Sequence, residues 1–140
     1  MTSEQLKHLD YIQSTINRMA DNSFKVKGWM VTLISALMAL YVNTEKISFL
    51  LVAFIPMFVF WFLDAYYLQQ ERKFRGLYDD AVAGNVRCFS MTTSTYDTFK
   101  YSFNSSFWSK TICPLYGTMV LLNFILLLIL LFKEYCCCCN

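Results

Sequence analysis

An all-α membrane protein is the fold class this sequence predicts: three transmembrane helices, with an N-terminal amphipathic helix and a cytosolic extension of the second helix. Three observations predict it. Apolar residues make up 56% of the 140-residue chain and charged residues 16%, against about 45–50% and about 25% in soluble domains. Three apolar runs, 24–42, 47–67 and 112–132, approach the ~20 residues that cross a ~30 Å hydrocarbon core. Helical spacing of apolar residues continues into the polar flanks, at 2–22 and again at 63–81.

Residues 1–23 form the amphipathic element. Leu6, Leu9, Ile12, Ile16 and Met19 recur every three or four positions, which is one face of a helix. Lys7, Asp10, Gln13, Asn17 and Asp21 take the other face. Thr2 and Gln5 have the spacing of a capping box. Such a helix packs on the protein's own cytosolic part or on the membrane surface; oligomerisation or partner binding is the alternative. No cleavable signal peptide is expected, so the first apolar run doubles as the targeting signal.

Residues 24–67 read as a transmembrane hairpin, crossing at 24–42 and 47–67 with a turn at 43–46. Lys25 and Lys27 stand at the start of the first crossing, where long stems snorkel to the interface, and Trp29 suits the same depth. Thr32, Ser35, Ala36 and Ala39 share one side. Small residues let backbones approach in lipid, so this face is expected to meet another helix. Pro56 predicts a kink in the second crossing. Trp61, Tyr66 and Tyr67 read as an interfacial belt at its far end.

The helical stripe continues through Leu63, Tyr67, Phe74, Leu77 and Ala81. A helix over 47–83 would be roughly 55 Å long at ~1.5 Å per residue and would project past the bilayer until Gly84 and Asn85 stop it. Residues 68–111 are therefore a cytosolic helix and loop. Within them, Tyr96, Phe99, Phe103 and Phe107 fit a helical stripe with Ser94 and Asp97 as a capping box, while Phe99, Tyr101 and Phe103 alternate as a strand would. A short helix lying at the interface is the preferred expectation. Residues 112–132 are the third crossing, with Pro114 near its start and a Leu-rich surface suited to lipid. Residues 133–140 are a Cys-rich tail.

Lys7, Arg18, Lys25 and Lys27, with Arg72, Lys73, Arg75, Arg87, Lys100 and Lys110, fall on one side of this topology; Lys46 and Lys133 fall on the other. Ten against two predicts a cytoplasmic N-terminus and a cytoplasmic 68–111 segment in a bacterial inner membrane. The turn and the tail then face outward.

A few polar residues stand out. Asp64, near the cytoplasmic end of the second crossing, is expensive in hydrocarbon. It either reaches water or a nearby Lys or Arg, or forms a carboxylate ring at the mouth of an oligomeric pore, where it would favour cations. Asn123, mid-membrane, forms an interhelical hydrogen bond or faces a pore. Arg72, Lys73 and Arg75 are a solvated face with helix-spaced ion pairs, with attraction to anionic lipid headgroups or a docking role as alternatives. Ser35, Ala36 and Ala39 are assigned to helix packing.

Enzyme chemistry has no footing: His8 is the only histidine, and no triad order, metal-ligand spacing or phosphate loop is present. No catalytic residue, metal or other cofactor is assigned. A net charge of +2 without a basic run excludes nucleic acid as the expected partner. Cys136 to Cys139 are adjacent, which does not suit a zinc site. They end in Asn and so fail as a prenylation box. Interchain disulfides or a tail without chemistry remain open, and Cys88 and Cys113 read as structural.

The run Ile16-Asn-Arg-Met-Ala-Asp-Asn-Ser-Phe-Lys-Val-Lys-Gly-Trp29, followed by Phe60-Trp-Phe-Leu-Asp-Ala-Tyr-Tyr-Leu-Gln-Gln-Glu-Arg-Lys-Phe-Arg-Gly-Leu-Tyr78, resembles a family of short, uncharacterised bacterial inner-membrane proteins. The likeness spans most of residues 1–80 and fades through 86–111. It implies genes beside antiviral-defence components, of the TIR-domain or nucleotide-signalling kind. The expectation is then a homo-oligomeric membrane effector that opens a pore or disturbs the bilayer on a cytosolic protein or nucleotide signal. Its rival is a non-conducting anchor or scaffold that recruits a cytosolic partner.

Overall fold

The computed structural model describes the backbone of residues 2–86, 89–96 and 98–138, and the side chains of these except 99 and 134–138. The Ser94–Asp97 capping box, the Phe99 side chain, Arg87, Cys88 and the side chains of Cys136 to Cys139 lie outside the described residues. The elements are α1 (Ser3–Thr44), α2 (Ser48–Val82), α3 (Phe103–Phe107) and α4 (Cys113–Cys138), with single 3-10 turns at Ser94–Tyr96 and Phe99–Tyr101. The described residues contain no strand. Three helices, α1, α2 and α4, are long and apolar enough to cross a membrane, and the chain is an all-α membrane protein.

The boundary expected at residue 23 is not a break. α1 is one helix of 42 residues, about 63 Å at ~1.5 Å per residue. No proline interrupts it, and one stripe crosses the expected boundary at spacings of three, four and seven: Leu9, Ile12, Ile16, then Ser23 and Lys27, then Met30 and Ile34. The capping box opens it, with the Gln5 N–H donating to Thr2 Oγ1 and the Thr2 N–H to Gln5 Oε1. It ends two residues beyond the expected crossing. There Glu45 takes a left-handed conformation (φ 54°) and its N–H donates to the Tyr41 carbonyl, 2.7 Å.

α2 is continuous through Pro56 and closes with a Schellman motif. Gly84 has φ 77°, the Gly84 N–H donates to the Ala81 carbonyl and the Asn85 N–H to the Asp80 carbonyl. At 35 residues it is about 52 Å long. Both helices of the hairpin therefore outreach a ~30 Å hydrocarbon core and protrude together.

α2 is the central element. Against its membrane part lie Met30 and Ile34 of α1 and Tyr116 of α4, with Ile112 just before it, around Ala53, Met57, Trp61 and Ala65. α4 runs antiparallel to α2, since Tyr116 packs near Trp61 and Asn123 meets Leu50. Along the protruding part, Ile12 and Ile16 of α1 enclose Leu77 of α2, flanked by Phe74, Tyr78, Ala81, Val86 and Tyr96. The outer faces of the crossings stay apolar and exposed, as with Ile55, Phe58 and Phe62 on α2 and Leu121, Leu122 and Ile129 on α4. Surfaces of this kind suit lipid.

The described residues of 86–111 are not one interfacial helix. They form two 3-10 turns and the short α3, capped by Ser102, whose hydroxyl accepts from the Ser105 N–H. The described part of the segment folds back along α2, with Tyr96, Tyr101, Phe103 and Phe107 in contact with that helix.

Candidate functional site

Two polar arrangements stand out: a buried cluster where the three long helices meet, and a layer built on the protruding part of α2.

In the first, Asp64 is fully buried. Lys27 Nζ lies 2.8 Å from Oδ1 and 2.7 Å from Oδ2. Ser23 also donates to Oδ1, and Lys27 donates to Ser23 Oγ at 2.7 Å. Oδ1 takes the hydrogen bonds, while Oδ2 is held by charge. From α4, the Tyr116 hydroxyl is also buried and has no hydrogen-bond partner among the described residues. The cluster forms because the α1 stripe places Ser23 and Lys27, one turn apart, toward the α2 stripe that carries Asp64. Asp64 pairs with a nearby cation, Lys27, as one of its two readings had it. Lys27 turns inward to make the pair instead of snorkelling outward as expected.

Asn123 is also buried. Its Nδ2 donates to the Leu50 carbonyl at 3.2 Å, and its Oδ1 has no partner. This is the interhelical hydrogen bond expected of it. Trp61 is corrected: it is not part of an interfacial belt but sits in the core, stacked on Phe107 at 4.6 Å and donating from Nε1 to the Phe107 carbonyl at 3.3 Å. The five-residue α3 begins and ends on Phe, and the α2 indole supplies both a ring and a donor to its end. Tyr66 stays exposed. Ser35, Ala36 and Ala39 do not meet another helix of the same chain. Met30, Ile34, Leu37 and Met38 make that contact, leaving the small residues exposed.

In the second arrangement the cationic cluster splits. Lys73 is buried and engaged within the fold. Arg75 holds Glu71 at 2.7 Å, a helix-spaced pair as expected. Arg72 reaches across to α3, with Nη1 donating to the Ser105 carbonyl (3.3 Å) and Nη2 to Ser109 Oγ (2.9 Å). Gln69 donates to the Tyr101 carbonyl at 3.0 Å, and the Tyr96 hydroxyl donates to Asp80 Oδ2. Burial, then the Asp80 hydrogen bond and charge, push the Tyr96 phenol up to about 12.

Sequence reasoning missed Gly76. A Cβ there would stand 2.9 Å from Tyr101 Oη and 3.0 Å from Tyr96 Cδ1, so any side chain at this position has to displace the tyrosine rings that lie on α2. A lone glycine inside an apolar helical stripe was the available signal. His8 was missed as a contact too: its Nε2 is 3.0 Å from the Ser90 carbonyl, and its ring lies 5.9 Å from Phe89. Among the described residues no three His, Cys, Asp or Glu side chains gather as metal ligands.

Comparison with protein-family models, curated proteins and solved structures gives no match.

Proposed function

We propose that the chain is a membrane-anchored helical platform whose protruding part receives a soluble partner. The observation that carries this reading is the use of the intramembrane polar groups. Asp64 is neutralised by Lys27, and Asn123 bonds the Leu50 carbonyl. Both are drawn into contacts between the helices, which favours a packed bundle over a water-filled path. The protruding part, in contrast, has its own core around Ile12, Ile16 and Leu77 and a polar layer fixed to α2. The excess of Lys and Arg on that side supports a cytoplasmic location in a bacterial inner membrane.

A second reading is an oligomeric effector that opens a pore or disturbs the membrane, as the family resemblance implies for antiviral defence. It draws on one observation: the exposed Ser35, Ala36 and Ala39 face of α1, which suits close contact with a second copy.

Reconstitution into liposomes separates the two. A platform leaves ion flux at the level of empty liposomes and migrates as a monomer or compact dimer in detergent. A larger ring with protein-dependent flux overturns the platform in favour of the effector.

A further inference from the structure

An open cavity of about 410 Å³ lies between α2 and residues 100–105, lined by Arg72, Arg75 and Lys100 together with Asp79, Tyr101 and Ser105. Its charges are unbalanced. Arg72 is met by serine oxygens only, and a guanidinium carries five donors, so N–H groups remain for a ligand. Lys100 rests its ammonium over the Tyr101 ring, 5.3 Å from the centroid. Among the described residues neither cation pairs with a carboxylate; the ion pairs there are Lys27–Asp64 and Arg75–Glu71. Arg75, three residues from Arg72 on one helix face, pairs with Glu71 through Nε and Nη2, which leaves its Nη1 for a further acceptor. An anion in the cavity meets the uncompensated Arg72 and Lys100 and adds charge-assisted hydrogen bonds.

Depth selects the anion. Arg72 lies eight residues past the buried Asp64, about 12 Å along α2. Ser105 and Ser109 shortly precede α4, and between them Trp108 is 64% exposed, as an interfacial indole would be. Asp79 lies about 10 Å further out along α2 than Arg72. Cations near the membrane followed by an acceptor away from it match a lipid headgroup: phosphate first, then hydroxyls.

We propose that this cavity binds the phosphate-bearing headgroup of an anionic, hydroxyl-rich phospholipid, with Arg72, Arg75 and Lys100 on the phosphate and Asp79 on the headgroup hydroxyls. The inference is independent of whether the protruding part also receives a protein.

Native mass spectrometry of the full chain in a neutral detergent tests it, with added short-chain phosphatidylglycerol, phosphatidylcholine or soluble glycerol phosphate. One phosphatidylglycerol per chain is expected to be retained. Arg72→Gln with Lys100→Gln should weaken retention at least tenfold, and Lys25→Gln, an exposed cation at the same end of the membrane, should leave it unchanged. Because Arg72 also ties α2 to α3, Lys100→Gln alone is the second variant. It should lower retention severalfold with helix content intact. Equal retention of phosphatidylcholine, or retention indifferent to both variants, overturns the proposal. Glycerol phosphate binding as tightly as the lipid overturns the lipid source and assigns the cavity to a soluble phosphorylated ligand.

Discussion

The membrane half and the protruding half of this molecule use polar groups in opposite ways. Within the membrane, the polar contacts between the long helices are few and buried: the Ser23–Lys27–Asp64 cluster and the Asn123–Leu50 bond. In the protruding half they are many and partly wet, running from α1 and α2 side chains to the backbone and side chains of residues 90–109, through His8, Gln69, Arg72 and Asp80. The difference follows from the two solvents. Where water competes, one hydrogen bond contributes about 0.5–1.5 kcal/mol, so docking a segment takes several. Where water is excluded, an unpaired charge costs several kcal/mol, so a single pair decides how the helices sit.

The largest expected effect tests the membrane half. Lys27→Met leaves a fully buried carboxylate without its cation and should cost about 3–5 kcal/mol. Asp64→Asn should cost clearly less, because the Lys27 side chain is 28% exposed and its stem can carry the ammonium out to the interface. Joining Lys27→Met with Asp64→Leu should recover most of the loss. Denaturant titration of helicity in detergent measures all three. Equal costs for the two single changes would mean that water reaches Asp64.

Gly76→Ala is the matching test of the protruding half. Alanine favours helix over glycine by about 1 kcal/mol, yet its Cβ meets Tyr101 Oη and Tyr96 Cδ1, so a net loss of about 1–3 kcal/mol is expected from overpacking. Hydrogen exchange should rise in residues 90–101 and stay unchanged around Asp64. Tyr101→Phe, which removes the nearest atom, should relieve part of the loss. Faster exchange in both halves would show that they do not behave as separate units.

These two sites also mark what was legible in the sequence. The three crossings, the capping box at Thr2, the helical extension past Tyr67 and the stop at Gly84 follow from local signals: hydropathy, cap residues and periodicity. Asp64 and Asn123 were conspicuous because each is polar among apolar neighbours. Their partners were not conspicuous. Ser23 and Lys27 occupy the same stripe as Ile16 and Met30, but a lysine at a membrane edge reads as snorkelling unless the facing helix is known. Trp61 read as an interfacial residue for the same reason; its true neighbour, Phe107, is 46 positions away. Residues 86–111 resisted because their order comes from docking on α2, and only Gly76 hinted that something lies close there.

A smaller effect depends on pH and belongs to the protruding half alone. The Tyr96 phenol has its pKa raised to about 12 in the fold by burial and by Asp80, against about 10 in an unfolded chain. Its contribution is fully present below pH 10 and is lost as pH rises from 10 toward 12. Tyr96→Phe should remove that part of the alkaline loss, read as the pH dependence of exchange in residues 90–96. A profile identical to the unsubstituted chain would mean that the Asp80 contact does not persist in solution.

The smallest expected effect sharpens the comparison most. If the membrane half depended on polar groups in general, Asn123→Leu would be costly. Among the described residues, its Nδ2 bond to the Leu50 carbonyl is the one hydrogen bond of that amide, and Oδ1 is buried without a partner. Interhelical hydrogen bonds in membranes average about 0.6 kcal/mol, and burying an unsatisfied oxygen offsets even that. Leucine removes the bond and the orphaned oxygen together and adds apolar contact against α2. The change should therefore stay within about 1 kcal/mol of neutral, by the same denaturant titration, while Lys27→Met does not. A loss above about 2 kcal/mol would place Asn123 beside Asp64 as a determinant of how α4 seats on α2. A near-neutral result leaves the charge pair, and not polarity as such, as what orients the helices.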